Sequence, residues 1–462
     1  MIRFGSFQID PRTWELSKDG QGVDLSPRLV EILGFIVSKA GQIVTKDELL
    51  EKFWPGVNVT ENTLTRAIAD IRKAIGDGAA TPQYLETASR RGYRFVGDRP
   101  TISDPFQDWV KGRLALDTLD TTKLNDAVHA FERTTAELPR YAPAHAGLAN
   151  GYLLQYERTR FGSAPDRTLI VKAIDAARQA TRLDPSLGEG WAVLGYLLFA
   201  AGKSEEGQAA ARRATALEPE NWRHHYRLAY GTWGEERLRA VDRTLAIMPT
   251  FAPARMLSSM VFVARGTIDR AEQETAIGAE LQRQNQSDHT PLPAVGFHWL
   301  RGMLLSSKGD RSGALACFDE EIASASDHVY GREFAVNAHV ASGFTKLAAG
   351  DRDGAKAAFT AAATHPKSRV GMAAIDGDHQ PVDKAIAELS AIERHAEAAL
   401  VSAGSQIVRG RIDEAIATLD RLLTSAPPGP SGWIMPIDPM LFGLHESRGK
   451  SALFARLAAR AA

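Results

Sequence analysis

Between Val59 and Phe95 the chain carries amide, hydroxyl, guanidinium and ammonium groups in two tight clusters. Asn62, Thr63, Thr65, Arg66, Asp70, Arg72 and Lys73 form the first, and Arg90, Arg91, Tyr93 and Arg94 form the second. Arginine and lysine neutralise phosphates, asparagine and arginine can pair bidentately with base edges, and an aspartate can accept from a cytosine amine. The chemistry these types suit is recognition of a nucleic acid, provided a rigid element aims them one way.

Two elements would do so. Leu64, Ile68, Ile71 and Ile75 recur at spacings of four, three and four, which puts them on one face of a helix. Thr60 is placed to cap it, Glu61 lies in its first turn and Gly76 supplies the stop. The opposite face then carries Asn62, Arg66, Ala69, Asp70 and Lys73. Downstream, Tyr84 to Thr87 reads as one strand and Tyr93 to Val96 as its return, with Gly92 allowing the turn. The hairpin holds Arg90, Arg91 and Arg94, with no acid between Thr87 and Gly97. A helix followed by a basic hairpin predicts a winged helix-turn-helix.

From Ile2 to Phe95 the chain resembles the winged-helix output domain of OmpR/PhoB-type regulators, and more closely its ToxR, CadC and HilA-like branch. The motifs that carry the resemblance are Ile2-Arg3-Phe4 through Leu16, Leu25-Ser26-Pro27, Gln42 to Leu50, Trp54-Pro55-Gly56 and Arg90-Arg91-Gly92-Tyr93-Arg94-Phe95. It implies promoter DNA as partner and the helix from Glu61 to Ile75 as the reading element; the thin net charge of residues 1–99 makes one copy a weak binder, so two copies on adjacent half-sites are expected. It also implies that Trp54, Pro55 and Gly56 sit in a loop that can touch RNA polymerase. Ala69 and Asp70 stand where the family often has basic residues, so Asp70 either reads a base or pairs with Arg66 or Lys73.

Charge adds a constraint. The whole chain of 462 residues has a net charge of −1, and residues 1–99 hold fourteen Lys and Arg against thirteen Asp and Glu. Attraction to DNA must therefore come from local patches. One cysteine, Cys317, excludes intramolecular disulfides and cysteine-based zinc sites. The N-terminus is too polar for a signal peptide, and no apolar run approaches a membrane span. A cytoplasmic protein without a membrane anchor is expected.

After residues 99–105, expected as a linker, composition shifts to Ala-, Leu- and Arg-rich helices. Leu183-Asp184-Pro185 and Leu217-Glu218-Pro219 repeat at the 34-residue tetratricopeptide period, with Trp191, Leu194, Gly195, Leu198, Gly207, Ala211 and Ala214 between them. Small residues in such a unit let two antiparallel helices approach closely. Similar units near Pro139, Gly309, Gly350 and Pro427 bring the expected number to six or seven. A solenoid of this kind offers a groove for a protein or small-molecule effector. Tyr152, Tyr156, Trp222, Arg223, Tyr226, His298, Trp299 and Arg301 are its expected lining, the alternative being that these residues pack between repeats.

Catalysis is not expected. Gly443 to Ser451 misses the P-loop by one residue, no esterase or zincin motif occurs, and the adjacent His224 and His225 point about 100° apart on a helix. No cofactor or metal is implied. The expected fold class is mostly α: an α+β winged helix-turn-helix over 1–98, then a solenoid of degenerate tetratricopeptide repeats over 106–462. The expected function is transcriptional regulation; the alternative is an interaction scaffold whose winged helix contacts protein.

Overall fold

Ile2, Phe4, Phe7, Ile9 and Leu16 alternate with polar residues, and this period of two folds the N-terminus into a β-meander. The computed structural model describes residues 2–11, 13–54, 61–89, 91–98, 100–102, 104–117, 123–160, 166–285, 294–324 and 329–462. Strands β1 (Ile2–Phe4), β2 (Phe7–Asp10), β3 (Glu15–Lys18) and β4 (Gln21–Val23) pair antiparallel in sequence. Ile2 faces Ile9, and Ile9 faces Leu16, so the apolar residues share the buried side.

Helix α1 (Pro27–Ser38) starts with proline, whose missing N–H costs nothing in a first turn. Strand β5 (Ile43–Thr45) leads into α2 (Lys46–Phe53), where the Thr45 hydroxyl accepts from the Glu48 N–H at 3.1 Å. Helix α3 spans Glu61–Ile75, the bounds the sequence predicts. Strands β6 (Leu85–Ala88) and β7 (Gly92–Phe95) form the hairpin, and β7 also pairs with β5. One core joins these elements through Leu33 and Ile36 of α1, Leu49 and Phe53 of α2, Leu64, Ile68 and Ile71 of α3, and Leu85, Tyr93 and Phe95 of the hairpin.

The expected linker contains structure. Strand β8 (Thr101–Ile102) pairs with β1, setting Ile2 against Ile102, and α4 (Asp104–Asp117) follows. Without β8 the main-chain groups of β1 would form an open sheet edge, and pairing satisfies them.

Among the described residues eighteen helices follow in succession from Asp104 to Ser425, more than six or seven two-helix units would supply. The pairs Ala252–Ala264 with Ile268–Asn285 and Pro366–Asp376 with Gln380–Ala391, which turn at the left-handed Gly266 and Gly377, have no counterpart among the units read from the sequence. In the pair Gly188–Ala200 and Ser204–Leu217, a Cβ added to Gly195 would lie 2.9 Å from the Ala211 nitrogen and 3.0 Å from the Gly207 carbonyl oxygen. The small residues therefore serve the close helix approach expected of them.

The chain divides into two compact units, residues 1–227 with 246–250 and residues 228–245 with 251–462. In the second, the C-terminal stretch packs back onto its own helices. The 3-10 segment Pro439–Glu446 touches Phe297–Ser307, Val329–Ala348 and His395–Val408, with Leu441 and Leu444 fully buried. The last helix, Lys450–Arg460, is anchored where Arg460 donates to the Leu423 and Ala426 carbonyls at 2.8 and 3.1 Å, and Arg265 Nε donates to the Ala461 carbonyl at 2.7 Å.

Candidate nucleic-acid interface

The exposed face of α3 is built by what its other face must do. Leu64, Ala67, Ile68, Ile71 and Ile75 are buried, which is worth about 1.5–3 kcal/mol for each large aliphatic side chain. Helical period then leaves Asn62, Thr65, Arg66, Ala69, Asp70 and Lys73 exposed, with Thr63 half-buried. Among the described residues Asp70 pairs with neither Arg66 nor Lys73, so its carboxylate keeps its acceptors for another partner.

Arg72 faces elsewhere. Its Nη2 donates to the Leu85 carbonyl at 2.7 Å and to the Thr87 hydroxyl at 2.9 Å, tying α3 to β6. Past the left-handed Gly76, the Asp77 carboxylate accepts from the backbone N–H groups of Gln83 (2.6 Å), Tyr84 (3.2 Å) and Leu85 (2.7 Å). The hairpin is thus held to the end of the helix at both its backbone and a side chain. Asp77 was no sequence candidate; an aspartate just past a helix stop and before a strand is the signal that marks it.

The hairpin revises three expectations. Glu86 lies opposite Arg94, whose Nε donates to the carboxylate at 2.7 Å, so this arginine is already paired. Tyr93 is buried in the core and presents no side chain to a ligand. Gly92 is required by close approach rather than by the turn: it is the first residue of β7, and an added Cβ would lie 2.0 Å from the Val44 carbonyl oxygen. Arg91 is exposed at the tip, while Arg90 lies outside the described residues. Of the cations named from the sequence, Arg66, Lys73 and Arg91 are exposed among the described residues.

Residues 20–95 match the family model described as transcriptional regulatory protein, C terminal. The transcriptional activator CadC of Escherichia coli (strain K12) is 30% identical over 97 residues, 21% of this chain and 19% of that protein. The solved DNA-binding domain of E. coli CadC is 29% identical, covering 21% of this chain and 90% of that one, with a TM-score of 0.19. Residues 20–95 form an OmpR/PhoB-type DNA-binding domain. The chain spans about a fifth of the CadC relative, so the match speaks for the winged helix alone. Beyond it the described residues form a long succession of helices; a tetratricopeptide repeat protein from Parabacteroides merdae ATCC 43184 is similar, at 16% identity over 56% of this chain and 93% of that one, with a TM-score of 0.38.

Beside this winged helix, Trp54 is half-buried, with the Arg28 guanidinium 5.0 Å from its ring centre, and Pro55 and Gly56 lie outside the described residues. The expected groove residues divide. Tyr152 donates to Glu132 at 2.6 Å and lies under the Lys172 ammonium, a contact between helices. Tyr156 is half-buried against the core of the first repeats. Trp222 is buried, with the exposed Arg223 stacked on its ring at 4.6 Å, and Tyr226 is half-buried. His298 and Trp299 are buried, His298 with its Nδ1 2.8 Å from Glu320 and its ring held below the usual histidine value by burial. These two pack inside the solenoid, as Trp299 does against Phe334 at 5.5 Å, and Arg301 is half-buried. No helix among the described residues is long and apolar enough to cross a membrane.

Proposed function

We propose that the protein regulates transcription by binding promoter DNA through residues 1–98, and that residues 106–462 receive a partner or effector or set the oligomeric state. In this reading α3 enters the major groove, where Asn62, Arg66 and Asp70 meet base edges, while Lys73 and Arg91 meet phosphates. The observation that carries it is the division of α3 into a wholly buried apolar face and an exposed face with Arg66, Asp70 and Lys73 unpaired with one another. Arg72 and Asp77 are positioning residues that hold the wing at a set angle to that helix. The small number of exposed cations makes one copy a weak binder, so two copies on adjacent half-sites are expected. The Trp54 loop is the expected polymerase contact, and the cytoplasm the expected location.

Salt titration of full-chain binding to the DNA upstream of its own gene is the test. Each phosphate contact should contribute about −0.9 to the slope of log K against log salt. Arg66→Ala should weaken specific binding by about 1–3 kcal/mol. The near-neutral charge of residues 1–99 and the pairing of Arg94 by Glu86 favour one other reading, a winged helix that contacts protein. Salt-independent binding to a protein, with no DNA binding at low salt, would establish that reading instead.

A further inference from the structure

Four helices of the first unit bring distant charges together. Arg113 comes from α4, Asn150 from Ala142–Arg160, Glu189 from Gly188–Ala200, and Arg227 from Trp222–Gly231. The first three are the leading helices of successive pairs. Arg113 Nη1 donates to both Glu189 oxygens, at 2.5 and 2.7 Å, and the Asn150 amide donates to the same carboxylate at 3.1 Å. The carboxylate is therefore neutralised within the network. Arg227 is different: its Nη2 donates to the neutral Asn150 side-chain oxygen at 2.7 Å, and among the described residues it makes no ion pair. Burial draws its guanidinium below the ordinary arginine value; Glu189 and Tyr196 oppose that effect, and the like charges of Arg223 and Arg113 add to it.

A half-buried guanidinium held beside two others is an unfavourable arrangement unless an anion completes it. The planar fork of arginine is the group best matched to a carboxylate or phosphate, because two parallel N–H bonds meet two oxygens. We propose that this network is a binding site for a small oxyanion, a carboxylate- or phosphate-bearing molecule, which Arg227 grips while Arg113 and Arg223 supply the surrounding field. Asn150 holds Arg227, Glu189 holds Arg113, and the two holders are hydrogen-bonded to each other. The site rests on the reading of the repeats as a sensor and gives that sensor a ligand class.

The site also has a route to the winged helix within the same unit. Leu114, next to Arg113 on α4, packs against the winged-helix core, and Trp14 of the meander packs against both that core and the core of the first repeats. A shift of α4 on ligand binding would reach the DNA-binding domain through apolar contacts and the β1–β8 pairing.

Calorimetric titration of the full chain with pyrophosphate, and separately with citrate, tests the site. The expected result is saturable one-to-one binding of one of them at millimolar concentration or below; whichever binds assigns phosphate or carboxylate. Arg227→Ala should weaken it at least tenfold. Arg227→Lys, which keeps the charge and loses the fork, should weaken it less and covers the case in which the alanine variant does not fold. Arg133→Ala, whose guanidinium pairs with Asp108, should bind as the unaltered protein does. Equal affinity in all variants, or no saturable binding of either anion, would overturn the proposal. Repeating the DNA titration with the anion present separates the two claims: binding at Arg227 with unchanged DNA affinity keeps the site and removes the sensing role.

Discussion

Helix α3 and the wing that follows it are both arginine-bearing, yet they present charge in different ways. On α3, packing takes one face and leaves Arg66 and Lys73 in water. On the hairpin, the strand opposite supplies a partner, so Arg94 is held by Glu86 and only the tip residue Arg91 is exposed among those described. A helix segregates its charges by period alone. A hairpin decides them by register, because the pairing of the strands sets Glu86 opposite Arg94, eight residues away in sequence.

That contrast orders the substitutions. Gly92→Ala should have the largest effect, destabilising the winged helix by about 3 kcal/mol, because the added methyl meets the β5 backbone, which cannot rotate away. Thermal denaturation of the variant reads this; an unchanged melting temperature would mean that β5 and β7 can separate freely. Arg72→Met comes next. It removes two hydrogen bonds from a half-buried guanidinium and should cost about 1–2 kcal/mol of stability, with a further loss of DNA affinity as the wing loosens. If affinity falls while stability holds, Arg72 contacts the ligand and is more than a tie. Arg94→Ala should do least, about 0–1 kcal/mol in stability and little in DNA binding, since its partner is a partly exposed carboxylate. A loss matching that of Arg66→Ala would show that Arg94 leaves Glu86 for phosphate and would erase the distinction between helix and wing.

How legible each part was follows the same division. The bounds of α3, its buried stripe and its exposed residues are set by contacts three and four residues apart, and they read directly from the spacing of Leu64, Ile68, Ile71 and Ile75. The hairpin was legible as a hairpin. Its chemistry was not, because the acid that neutralises Arg94 lies on the other strand and the reason for Gly92 lies on β5. In the repeats, Gly195 and Ala211 announce a close helix pair, whereas His298 and Trp299 look like groove residues until the fold buries them.

The sequence by itself determined the winged helix-turn-helix, the helical succession that follows it and the exposed face of α3, since each depends on periodicity within a single element or between adjacent ones. Tertiary structure alone decided that β8 closes the edge of β1, that Tyr93 is core, that the C-terminal stretch packs into the second unit, and that Arg113, Asn150, Glu189 and Arg227 meet. The physical reason is separation along the chain. Asn150 and Arg227 are 77 residues apart, and no local pattern encodes an encounter that exists only once the intervening helices have stacked.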